Sequence, residues 1–145
     1  MRSAARFGLI TPEAFIADRN VHAARYFTSL MAEAPNSAVP ERFWADTRIR
    51  TLPYDRGMLY FATIDHALKA KSDGAKSLDD LMLAMLALSD SGIETSPADW
   101  EDLLRAELGE EAVTEFRAFI DGQLPTVPDD VFGPCFTRVS VPLRR

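Results

Sequence analysis

The stretch LPYDRGMLYFATIDHALKAKSDG, Leu52 to Gly74, decides the reading of the fold. Met58, Leu59, Tyr60, Phe61, Ala62, Ile64, Ala67 and Leu68 cover most of a helix circumference over three turns. That is the pattern of a central, largely buried helix. It is predicted to start near Pro53 or Tyr54, since proline suits a first helical turn, and to end near Lys71, before Ser72-Asp73-Gly74. Tyr54, Asp55, Arg56 and Gly57 then stand together at its mouth, a cluster that burial alone does not require. Positions 54, 58, 61, 65 and 68 share one face, so Asp65 falls on an apolar stripe.

Outward from this helix the start signals repeat. Upstream, Thr11-Pro12-Glu13 gives a cap oxygen, a first-turn proline and an acid at the positive end of the dipole. Phe15, Ile16, Val21, Ala24 and Phe27 keep helical spacing behind it to about Ala32, where Ala34-Pro35-Asn36-Ser37 breaks the pattern. A short second helix is predicted around Phe43 and Trp44. Downstream, Ser77-Leu78-Asp79-Asp80 and Ser96-Pro97-Ala98-Asp99 open a fourth and a fifth helix, with an acid three residues after the capping serine. Gly109 stops the fifth, and a sixth runs from about Glu110 to Asp121 before Gly122. Pro125, Pro128, Gly133 and Pro134 forbid another long helix, while the alternation in FTRVSV (Phe136–Val141) suits one short strand. The expectation is an all-α fold, a bundle-like array of about six helices: a helical domain over 1–124 and an extended tail or short strand over 125–145 packed on it.

Composition narrows the function. The 145 residues suit one ordinary domain, and 47% hydrophobic content can build a core. A net charge of −6 argues against sequence-independent nucleic-acid binding, which needs a clustered basic surface. No apolar run reaches membrane-span length, and the single cysteine, Cys135, marks no disulfide framework. The expected location is cytoplasmic by default, with no nucleic-acid or membrane partner; a longer parent would leave the compartment open.

The chain is poor in reactive groupings. It holds His22, His66 and one cysteine, with no HExxH and no CxxC, so it lacks a zinc pattern of its own. Cys135 reads as a small semi-buried thiol. Asp65 reads either as a buried acid holding a donor or as the point where its stripe opens to water. For the cluster at Tyr54 two readings stand. In one, the Tyr54 hydroxyl donates to a developing oxyanion and Gly57 leaves room for close approach. In the other, Tyr54 is a core aromatic and Asp55 and Arg56 are solvated charges.

LPYDRGMLYFATIDHALKAKSDGAKSLDDLMLAML (Leu52–Leu86) resembles the C-terminal helical part of the glycyl-aminopeptidase family, zinc metallopeptidases of the gluzincin type. FGLITPEAFIADRN with ARYFTSL, ERFWADTR and FGPCFTRVSVPLRR resemble its flanking segments, in the same order, over nearly the whole chain. The resemblance implies a tyrosine that stabilises the tetrahedral intermediate, carried onto Tyr54. Asp55, Arg56 and Gly57 become substrate-cleft candidates. The zinc, its histidine and glutamate ligands and the general base would lie before Met1, so this chain holds no cofactor itself and zinc belongs to the full-length enzyme. The implied partners are that zinc-bearing part and, in its context, a peptide substrate; the isolated chain is expected to be inactive. The alternatives are a standalone helical interaction module that has lost the chemistry and possibly self-associates, and an unrelated small enzyme built on Tyr54, Asp65 or His66.

Overall fold

A computed structural model describes residues 8–139. Among them the chain is all-α, with six α-helices and no strand: α1 (Pro12–Thr28), α2 (Val39–Arg42), α3 (Thr47–Lys71), α4 (Leu78–Asp90), α5 (Pro97–Glu107) and α6 (Glu110–Ile120). A single 3₁₀ turn, Asn36–Ala38, precedes α2. The chain divides into two compact units, one up to Met58 and one from Leu59, so the boundary falls inside α3.

Capping grammar accounts for most helix starts. The Thr11 hydroxyl accepts the Ala14 N–H at 3.2 Å with Pro12 just inside α1. Ser77 and Asp80 form a reciprocal capping box on α4, and Ser96 and Asp99 form one on α5. Each such cap stabilises by about 1 kcal/mol. Gly109 takes φ +101°, a conformation costly for any residue with a Cβ. Its N–H closes back on the Leu104 carbonyl at 3.1 Å, and α6 begins at the next residue.

Three boundaries differ from expectation. α3 begins at Thr47, not at Pro53 or Tyr54, because Asp46 caps it: its carboxylate accepts the Arg48 N–H at 2.9 Å. Pro53 therefore sits inside the helix, where it has no N–H to give the Ile49 carbonyl. α1 ends at Thr28 rather than near Ala32, and the short α2 ends at Arg42, leaving Phe43 and Trp44 just beyond it. The expected strand does not form over Phe136–Val139; Ser140 and Val141 lie outside the described residues. Instead the Arg138 N–H donates to the Asp129 carbonyl at 2.8 Å and its Nε to the Asp129 carboxylate at 3.0 Å, folding the tail on itself. Val127 and Val131 are buried in the second unit.

The core of the second unit gathers Tyr60, Ile64 and Leu68 of α3, Leu81 of α4, Trp100 and Leu104 of α5, and Ala112, Val113 and Phe119 of α6. Tyr60 stacks on Phe119 with centroids 4.6 Å apart, and its hydroxyl accepts the Trp100 Nε1–H at 3.0 Å. That burial holds the phenol well above its ordinary pKa. In the first unit the buried apolar residues are Phe15, Tyr26, Ala32, Ile49 and Leu52.

Candidate functional site

The first half of α3 turns consecutive residues by about 100° each, so Tyr54, Asp55 and Arg56 cannot share one direction. Ile49 and Leu52 are buried and mark the inner side; Asp55 and Arg56 lie with them at 1% exposure each, whereas Tyr54 is 66% exposed. Both halves of the core-aromatic reading are thereby reversed. Tyr54 is not in a core, and Asp55 and Arg56 are not solvated. The cluster also lies within the helix rather than at its mouth.

Asp55 is saturated by α1. Arg25 donates Nε to Oδ2 and Nη2 to Oδ1, both at 2.5 Å, and His22 Nδ1 lies 2.6 Å from Oδ1. A carboxylate flanked this way is acceptor only, so His22 donates from Nδ1. Its Nε2 is then left 3.8 Å from the Asp18 carboxylate. Arg25 Nη2, 3.2 Å from the same Nδ1, is a second donor on one carboxylate rather than a bond to the ring. The Asp55 hydrogen bonds raise the Arg25 pKa further above its ordinary value, against the opposing effect of burial.

Arg56 serves the backbone that follows α1. Its Nη2 donates to the carbonyls of Ala32 at 2.6 Å and Ala34 at 2.7 Å, and Nη1 to the Asn36 side-chain oxygen at 2.9 Å. The guanidinium carbon lies 6.0 Å from the Tyr26 ring centroid, the edge of cation–π range. A planar fork can hold three acceptors at once where an ammonium on a flexible stem would not. Asp55 and Arg56, read as cleft candidates, thus make structural contacts; Asp55 in addition lines a cavity of the first unit. Gly57 is half-buried in the helix interior. The Tyr54 hydroxyl has no partner among the described residues.

In the second unit Asp65 is buried and accepts the Leu78 N–H at 3.0 Å, fixing the first residue of α4; Lys69 pairs with it at 2.9 Å. The buried-acid reading of Asp65 holds. His66 lies 3.0 Å from Asp130. Asp65 is thus a buried structural group, whereas the His66–Asp130 pair is exposed. Cys135 is exposed and free, not semi-buried, because it sits in the turn after Gly133-Pro134.

The contact between α1 and Asp55 had one signal in the sequence. Asp18, His22 and Arg25 recur at helical spacing and make a polar stripe on α1. Nothing in the spacing identified Asp55, 30 residues from Arg25, as its partner. Among the described residues there is no group of three or more His, Cys, Asp and Glu side chains that could hold a metal ion. Nor, among them, is any helix long and apolar enough to cross a membrane. The chain matches no family model, no curated protein and no solved structure.

Proposed function

We propose that this chain is the C-terminal helical part of a zinc-dependent aminopeptidase of the glycyl-aminopeptidase type, forming one wall of its cleft and inactive alone. The observation that carries the reading is Tyr54: a hydroxyl with no partner among the described residues, on a side chain 66% exposed, immediately before two residues locked into the protein interior. A tyrosine with no packing task, on a helix whose rotation is fixed by its neighbours, is suited to donate to an oxyanion that develops on a substrate. The zinc ligands and general base belong, on this reading, to polypeptide outside this chain. A second feature agrees. The outer face of α4 exposes Met82, Leu83 and Leu86, neighbours at helical spacing, as a subdomain that docks on a larger part would.

The test is Tyr54→Phe in the polypeptide that carries the HExxH segment. The expected result is a kcat lower by about 10²–10³, with zinc content and thermal stability unchanged. An unchanged kcat removes Tyr54 from the chemistry. An immunoblot of the source cells tests the parent itself: a single band at 16.1 kDa ends the peptidase reading and leaves the standalone interaction module.

A further inference from the structure

The first unit holds a cavity of about 400 Å³ between the last turns of α1 and the first three turns of α3. Arg25, Tyr26, Ser29, Arg48, Thr51 and Asp55 are among the residues that line it. Its volume is in the range of sites for small molecules. We propose that it binds a small oxyanion, the carboxylate of a ligand of about dipeptide size or a phosphate. This does not depend on the peptidase reading.

The arginines carry the argument. Arg25 gives Nε and Nη2 to Asp55, and Arg48 gives Nε and Nη2 to Asp46. In both, Nη1 makes no hydrogen bond among the described residues, so each guanidinium keeps one donor edge. Arg50 is not among the residues that line the cavity; its Nη2 is 3.4 Å from the hydroxyl of Thr47, which is. Two guanidiniums, Arg25 and Arg48, thus line this cavity, each anchored by a carboxylate and each with a donor edge to spare. Arginine is the side chain whose fork matches a carboxylate or phosphate in two-point contact.

Hydroxyls add to this. The Ser29 oxygen accepts the Met31 N–H at 3.1 Å and so keeps its own proton to donate. The Tyr26 hydroxyl is buried without a hydrogen-bond partner among the described residues, which is uncommon for a polar group in a folded protein. Leu30 and Leu52 give the cavity an apolar side against which the body of an organic acid can rest. Asp55 does not repel such a ligand strongly, because Arg25 and His22 already hold both of its oxygens.

The test uses the full chain and three probes in titration calorimetry with matched ¹⁵N chemical-shift mapping: N-acetylglycylglycine, its C-terminal amide and inorganic phosphate. The expected result is saturable binding of the acid, with shifts at Ser29, Arg48 and Thr51, and affinity for the amide lower by about tenfold or more. Arg48→Gln, at a lining position outside the core, should weaken the acid by about tenfold, whereas Arg50→Gln, outside the lining, should weaken it much less, and added salt should weaken it further. Phosphate binding at the same residues, with the acid weaker, assigns the site to phosphate rather than to a carboxylate and keeps the oxyanion proposal. Three results overturn it: no binding of either anion, equal affinity for acid and amide, or binding unaffected by Arg48→Gln.

Discussion

The two units hold successive halves of α3 by opposite means. Up to Met58 its deepest residues include a carboxylate and a guanidinium, Asp55 and Arg56, each held by three hydrogen bonds. From Leu59 onward the same helix contributes Tyr60, Ile64 and Leu68 to an aromatic and aliphatic core. Charge divides in the same way. Residues 1–58 carry eight arginines, no lysine and six acids, a net +2, whereas 59–145 carry eight cations and sixteen acids, a net −8. Apolar burial is non-directional and satisfied by many arrangements of similar volume. Forked hydrogen bonds are met in one orientation only. A one-residue slip of α3 would rotate it by about 100°, taking Asp55 off Arg25 and swinging Tyr54 inward. The polar half therefore fixes which side chain faces outward, and the apolar half fixes that the helix is buried.

The comparison breaks most readily at Arg56. Arg56→Met keeps most of the stem volume but leaves the Ala32 and Ala34 carbonyls and Asn36 without their donor. The expected loss is roughly 3 kcal/mol in urea unfolding, the cost of leaving buried carbonyls without their donor. Amide exchange should accelerate first over residues 32–36. A loss below about 1 kcal/mol would mean that the first unit does not depend on its polar contacts, and the contrast would fail. The matching change in the second unit is Leu104→Ala, at a fully buried core position. It should cost roughly 3 kcal/mol through lost contacts and a residual cavity, with exchange quickened in α5 and α6. Should the exchange effect of Leu104→Ala instead fall on α1 and Asp55, the two units do not have separate supports.

How legible this was depended on the range of the interactions. The starts of α1, α4, α5 and α6, and the glycine stops, rest on contacts within about four residues, and Thr11, Ser77, Ser96 and Gly109 announce them. α3 was misplaced at its start because Pro53 mimics a first-turn proline, while the true cap, Asp46, lies seven residues earlier in a segment with no apolar periodicity. Asp65 on an apolar stripe was open to two readings, and tertiary contact with Leu78 decided between them. The same applies to Asp55 and Arg56. Their type and spacing fit a solvated first turn, and only partners 20 to 33 residues away reveal them as interior groups. The exposure of Tyr54 then follows from theirs through helix geometry alone.

The smallest expected effect concerns the helix caps in acid and sharpens the contrast at the level of single carboxylates. The Arg48 side chain, hydrogen-bonded to Asp46, is the main cause that lowers this carboxyl from the ordinary 3.8 to about 2, assisted by the Arg48 backbone N–H. Asp80 and Asp99 are lowered as well, Asp80 first by the backbone N–H of Ser77 and Asp99 first by the Ser96 hydroxyl. A folded-state pKa below the unfolded one means that the unfolded chain binds the proton more readily. The stabilisation is therefore complete above the ordinary carboxylate value and is lost as pH falls through the folded one. Loss of all three caps should begin below about pH 4, and the Asp46 cap should persist until near pH 2. Carboxyl ¹³C titration of the full chain reads this directly, with Asp46 expected to titrate near 2. In Arg48→Gln, which removes the main cause, Asp46 should move back toward the ordinary value while Asp80 and Asp99 stay where they are. If Asp46 titrates at 3.8 in the unaltered chain, Arg48 is not held in that pair. The guanidinium edge described for the first-unit cavity would then lack the anchor that aims it.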